Sequence, residues 1–169
     1  MQRKTITWHP PEASRWDTAA LTGLEYLQAL KDGRVARPPA AVLVGYRIAS
    51  LAVGRVCYEL VPEEAHYNPF ATGHGGILAT LMDSALTAAV ISTLPRGRSC
   101  STAEIKVNFL RPVTAETGRL VCEAQLVHAG RRLAAAEGQV RDAQGRLCAL
   151  GVCSCLLFDT DGPSPTARR

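Results

Sequence analysis

The sequence predicts an α+β fold in which one long apolar helix lies on a curved antiparallel sheet. Three observations predict it. Residues 76–93 are apolar or small almost throughout. From Ser101 onward the chain alternates apolar and polar residues, the period of strands with one buried face. Turn signals such as "HAGR" and "DAQGR" divide that second half into segments of strand length.

The elements follow in order. Residues 1–16 are irregular. "DTAALTGLEYLQALKDGR" reads as a helix with Asp17 as its cap, a stripe of Leu21, Leu24, Leu27 and Leu30, and Gly33 at its end. "ARPPA" reads as an extended linker, because a residue before proline avoids the helical region. "AVLVGYRIASLAVGRVCYEL" reads as two strands around a turn near Ser50, or as one long strand bent at its glycines. The long helix comes next and stops before Pro95. In "STAEIKVNFLRP" the period places Ala103, Ile105, Val107 and Phe109 on one face, and Thr102, Glu104, Lys106 and Asn108 on the other. "GRLVCEAQLVH", "RRLAAAEGQVRD" and "LCALGVCSCLLF" complete an antiparallel meander. The polar tail "DTDGPSPTARR" reads as disordered.

Bulk composition narrows the function. The chain of 169 residues suits one core, and 47% hydrophobic against 20% charged residues is a globular balance. Aromatics are only 5%, so Leu, Val and Ala must fill that core. The net charge of +4 comes from scattered arginines, which is too thin for a nucleic-acid footprint. The six cysteines form no C-x-x-C and none pairs with a His at metal-ligand spacing, so they read as small apolar fillers and no metal is expected. The N-terminus lacks the apolar run of a signal peptide, and the longest apolar stretch is broken by Asp83. These features lead us to expect a cytoplasmic protein with no membrane segment.

The long helix carries the chemistry. Ile77, Leu78, Leu81, Met82, Ala85, Leu86, Ala89 and Val90 make a broad apolar stripe, while Gly76, Ala79, Thr80, Asp83 and Thr87 make a small-residue face. Such a helix is covered on both sides, the second cover being a substrate, a partner subunit or both. Asp83 is the one charge in the segment. Either hydroxyls of Thr80, Ser84 or Thr87 satisfy it, or it has catalytic work. The pair Gly75-Gly76 lies at the helix start, where backbone N–H groups are unpaired and the dipole is positive. Without side chains there, a carbonyl oxygen can approach, as in an oxyanion hole. Close packing or a tight turn is the plainer use of the same glycines. Asp83 is eight residues beyond Gly75, about 12 Å along a helix. One carbonyl cannot touch both within a chain, so a shared site requires two copies, which a two-fold dimer supplies.

Asn68, the run His74-Gly75-Gly76, Asp83, then "STAEIKVNFLRPV" and "HAGRRLAAAEGQVRDAQGRLCALG" together resemble the hotdog-fold acyl-CoA thioesterases of the phenylacetate-pathway (PaaI-like) type. The resemblance spans about residues 40–158, leaving 1–39 as an N-terminal extension with one helix and 159–169 as a tail. It implies a sheet wrapped around one helix, paired into dimers and then into dimers of dimers. It implies hydrolysis of aromatic, arylacetyl or medium-chain acyl-CoA thioesters with no cofactor, coenzyme A being part of the substrate. By the same resemblance Asp83 is the general base or nucleophile, the Gly75 N–H polarises the carbonyl, Asn68 and His74 position the reacting groups, and Thr102 holds water beside Asp83. Gly76 borders the substrate. The turn Gly130-Arg131-Arg132 meets the nucleotide end of CoA, or is simply an exposed basic turn. His66 and His128 read as surface or turn residues, and Cys100 as a thiol with nothing to activate it. Two other readings belong to the same fold: an acyl-CoA-binding dimer without chemistry, and an enoyl-thioester hydratase using a His and a carboxylate.

Overall fold

A computed structural model describes residues 1–160. Two helices precede the sheet: α1 (Gly23–Lys31) and α2 (Pro39–Val44). Strands β1 (Arg47–Ala52) and β2 (Arg55–Leu60) form a hairpin, followed by the long helix α3 (Gly75–Ile91). Strands β3 (Arg98–Phe109), β4 (Leu120–Ala129), β5 (Leu133–Arg141) and β6 (Leu147–Asp159) complete one antiparallel sheet of six strands, ordered β1-β2-β4-β5-β6-β3. This is the expected α+β arrangement, with the sheet curled around α3.

Several boundaries move from where the sequence places them, each for a local reason. Helix α1 begins at Gly23 because Thr22 and Glu25 form a capping box: the Glu25 N–H donates to Thr22 Oγ1 (3.3 Å), and the Thr22 N–H donates to the Glu25 carboxylate (2.8 Å). Asp17 caps only a preceding turn, through the N–H groups of Ala19 and Ala20. "ARPPA" runs into α2, since Pro39 occupies the first helical position, where its missing N–H costs nothing. The hairpin turns at Val53-Gly54, while the neighbourhood of Ser50 holds a bulge in β1.

The strand order also departs from a simple meander. After β3 the chain crosses to place β4 beside β2, and β3 pairs with β6 instead. Alternation fixes which face a strand buries, and it does not name its neighbour. Of the predicted tail, Asp159 closes β6, the Thr160 N–H donates to Gly97 O, and residues 161–169 lie outside the described part.

The core is the contact of α3 with the sheet. Leu81, Met82, Ala85, Leu86 and Ala89 are completely buried against strands that supply Leu120, Val140, Cys148 and Cys155. Gly138 of β5 and Gly151 of β6 are paired directly across the ladder, forming a dip that receives the helix. A Cβ on Gly151 would come within 2.7 Å of Met82 Cε and 3.0 Å of Lys106 O, and one on Gly138 would meet Glu123 O at the closer 2.6 Å and Leu86 Cδ2 at 3.2 Å. Met82 can swing away, whereas the β4 backbone cannot. Gly138→Ala is therefore expected to cost about 2 kcal/mol or more and to lower Tm by more than about 4 °C. Gly151→Ala is expected to cost less, and calorimetric melting of both variants checks the ranking.

Candidate active site

Asp83 lies halfway along α3 on its small-residue face, half-buried. Among the described residues its one hydrogen bond is from Thr102, whose Oγ1 donates to Asp83 Oδ1 at 2.8 Å. The hydroxyls of Thr87 and Thr102 are 2.8 Å apart, so Thr87 supports the same donor. The nearby hydroxyls that might have satisfied Asp83 are engaged elsewhere. Thr80 donates to Gly76 O at 2.8 Å, and Ser84 donates to the Tyr46 hydroxyl at 2.8 Å. Among the described residues no group donates to the second oxygen of Asp83.

Thr102 reaches Asp83 because β3 carries a bulge. Thr102 pairs with Cys155 and Glu104 with Ser154, so Ala103 is the extra residue. The bulge reverses the alternation at that point. It turns Thr102 toward the helix, together with Ile105 and Val107 further along, whereas strict alternation places Thr102 with Glu104 and Lys106 on the far face.

The start of α3 is built separately. His74 is its N-cap, its Nδ1 accepting the Gly76 N–H at 2.9 Å. That bond occupies Gly76 and fixes the ring. The Gly75 N–H donates to no described residue. It lies at the positive end of a helix of 17 residues. The ring of Phe109 packs so closely on Gly75 that a Cβ there would be 3.0 Å from Phe109 Cε2. Asn68 organises the preceding loop: its Oδ1 accepts the Phe70 N–H (2.8 Å), its Nδ2 donates to Thr72 Oγ1 (3.0 Å), and its backbone N–H bonds Thr72 O (2.8 Å). The loop holds Ala71 in the left-handed region (φ 56°). Asn68 thus shapes the approach to His74 within its own chain.

The predicted residues therefore form two groups. Asp83 and Thr102 share one, and Asn68, His74, Gly75 and Gly76 share the other. The eight residues of helix between Gly75 and Asp83 separate them by about 12 Å. Gly130, Arg131 and Arg132 form a tight turn held by the Gly130 N–H to Leu133 O (2.8 Å) and by Arg98 donating to Arg131 O (2.6 Å). Both arginine side chains are exposed. In the ladder Ala134 is level with Cys155 and hence with Thr102. Arg131 is three residues further along, in the turn, and so at most about 10 Å from that level.

His66 is buried, contrary to the surface position expected from sequence. Its Nδ1 accepts the Glu63 N–H (3.1 Å), and its carbonyl accepts the His74 N–H (2.8 Å), so it supports the helix cap from behind. Cys100 is no activated nucleophile: its interaction with Cys155 and its burial push the thiol up. Among the described residues no group of three or more His, Cys, Asp or Glu side chains is placed to hold a metal ion, and no helix is long and apolar enough to cross a membrane.

A cavity of about 570 Å³ opens beside Asp83, Ser84, Thr87 and Thr102. Tyr46 and residues of α1 also line it. The Tyr46–Ser84 contact joins residues 38 apart, and no local pattern encodes it.

An antiparallel sheet wrapped on one long helix, with a carboxylate on that helix facing a cavity, is the architecture of a hotdog-fold thioester hydrolase. The sequence pattern of the thioesterase superfamily matches residues 70–149. Human acyl-coenzyme A thioesterase 13 is 32% identical over 126 residues, covering 73% of this chain and 88% of that protein. A phenylacetic acid degradation-related putative thioesterase from Ralstonia eutropha superposes with a TM-score of 0.71 at 29% identity, over 78% of this chain and 98% of the other. The PaaI protein of the phenylacetic acid degradation operon of E. coli superposes with a TM-score of 0.65 at 25% identity, over 70% and 83%. The chain belongs to the thioesterase superfamily.

Burial holds the pKa of His66 below its ordinary 6.5, so the folded state favours the neutral ring. Its contribution to stability is then full above about 6.5 and is lost as pH falls through the lower folded value. Urea midpoints are expected to drop between pH 7 and pH 5. His66→Gln is expected to flatten that slope, and a slope unchanged by the substitution would remove His66 as its source.

Proposed function

We propose that the protein hydrolyses acyl-CoA thioesters carrying aromatic, arylacetyl or medium-chain acyl groups, at sites shared between two copies of the chain. The observation that carries this reading is the state of Asp83: a half-buried carboxylate on a cavity wall, oriented by one hydroxyl, with its other oxygen available. Thr102 holds Oδ1, which leaves Oδ2 to take a proton from water as the water attacks the thioester carbon. The tetrahedral oxyanion needs a donor, and the free Gly75 N–H of the other copy suits it by charge and access. Collapse expels the CoA thiolate, which leaves without a metal because thiolates are good leaving groups. Direct attack by Asp83, giving a mixed anhydride that water then opens, uses the same groups.

Two features support the pairing of chains. Strand β3 is a sheet edge, and the face of α3 that bears Asp83 is only half-covered. A two-fold axis that set the Gly75 end of one α3 against Asp83 of the other would complete two equivalent sites. His74 and Asn68 then act as positioning residues, one fixing the cap and the other the loop. Arg131 and Arg132, in the turn at most about 10 Å from the Thr102 level, are within reach of the phosphates of CoA.

Free-thiol release from a panel of acyl-CoAs tests the reading. Asp83→Asn is expected to lower kcat by about 10²–10⁴-fold with the melting temperature kept. Retained turnover in that variant would overturn the role of Asp83. Thr102→Val removes a hydrogen bond to a charged group, worth about 1.5–3 kcal/mol, and is expected to lower kcat about 10- to 100-fold. Thr102→Ser is expected to restore most of it, since only the hydroxyl is needed.

A further inference from the structure

The cavity beside Asp83 has a second wall that hydrolysis itself does not require. It follows the C-terminal half of α3 from Asp83 past Ala88 to Ile91. Eight residues of helix make that run about 12 Å long. Its opposite side is α1, which contributes Tyr26, Leu27 and Leu30. Beyond Ser84 and Thr87 the α3 side of this run is apolar, with Ala88 and Ile91, while the exposed Lys31, Arg37 and Arg47 also border the cavity. None of the α1 residues falls within the span 70–149 that the superfamily pattern matches.

Helix α1 is pinned in place. The Gly23 N–H donates to Leu94 O at 3.0 Å, and the crossing is so close that a Cβ on Gly23 would stand 1.7 Å from Ile91 O. Trp16 stacks on Tyr26 with ring centroids 5.4 Å apart and planes 11° from parallel. The Tyr26 hydroxyl donates to Ser14 O at 2.8 Å, so the ring is held from the side away from the cavity. Leu27 is almost completely buried, whereas Leu30, one turn later, is only half-buried.

We propose that α1 is the wall of the acyl pocket opposite α3, and that Leu30, backed by Leu27, limits the room left for the acyl group. The proposal rests on the thioesterase reading of Asp83. An acyl group whose carbonyl lies at Asp83 extends between α3 and α1, along a run closed where Gly23 crosses Ile91. The run admits a single aromatic ring or a medium alkyl chain and turns long chains away. Each methylene that finds the apolar wall gains about fourfold in affinity, and the gain is bounded by the room that Leu30 leaves.

The test is a profile of kcat/KM over saturated acyl-CoAs from C4 to C16 for the native protein, Leu30→Ala and Leu30→Trp, with melting curves to confirm folding. Leu30→Ala is expected to move the optimum at least two carbons longer. Leu30→Trp is expected to lower the C12 to C4 ratio at least tenfold. Calorimetric binding of the same panel to Asp83→Asn proteins, with and without the Leu30 changes, reads the pocket apart from turnover and is expected to shift in parallel. Profiles that superimpose across the Leu30 variants, with hydrolysis intact, would overturn this proposal and leave the thioesterase reading standing. Neither hydrolysis nor binding of any acyl-CoA would overturn both.

Discussion

Everything in this protein depends on how closely α3 approaches the sheet. Its buried face is built from Leu81, Met82, Ala85, Leu86 and Ala89, with no exposed area left on any of them. The approach is close because the two strands under it are glycine where they pair, Gly138 opposite Gly151. The helix is seated in that dip, and its direction decides where both ends of the candidate site point. The Gly75 end lies against Phe109, the last residue of β3, and the midpoint presents Asp83 to a cavity. A small change in the seating would move both together.

The proposed chemistry is then a matter of what surrounds one carboxylate. A half-buried Asp is tolerated here because Thr102 donates to one of its oxygens while the other faces open space. The neighbouring hydroxyls on the same helix bond elsewhere, to Gly76 O and to Tyr46. The result is a carboxylate oriented by one donor and otherwise available. At the N-terminus of α3 the division of labour is similar. His74 takes the Gly76 N–H and leaves that of Gly75 free. In the proposed site each place keeps one group unsatisfied among the described residues, and the length of helix between Gly75 and Asp83 means that neither can serve the other within a chain.

The segment before β1 belongs to the same core. Tyr26, Leu27, Ala41 and Val44 are buried with the residues of α3 and the sheet. Helix α1 crosses the end of α3 at Gly23, with a capping box at its start and an aromatic stack behind it. That segment gives the cavity a wall unrelated to the superfamily pattern, so two chains with the same catalytic groups can differ in what they accept.

Much of this was legible in the sequence, and what was not has a physical cause. The amphipathic period of residues 76–93, the glycines at its start, the single Asp83 and the turns at Gly130 and Gly145 are local signals, and each appears where expected within a residue or two. The combination of Asn68, His74, Gly75 and Asp83 also pointed to the family. The sequence by itself determined the element types, the long buried helix and the residues with catalytic potential, because propensity, capping and periodicity act over a few residues. Tertiary structure alone decided that β3 pairs with β6, that a bulge at Ala103 turns Thr102 toward Asp83, that His66 is buried behind the cap, and that α1 walls the cavity. Each of these joins groups far apart in the chain, and their energy comes from packing and hydrogen bonds that exist only once the sheet has closed on the helix.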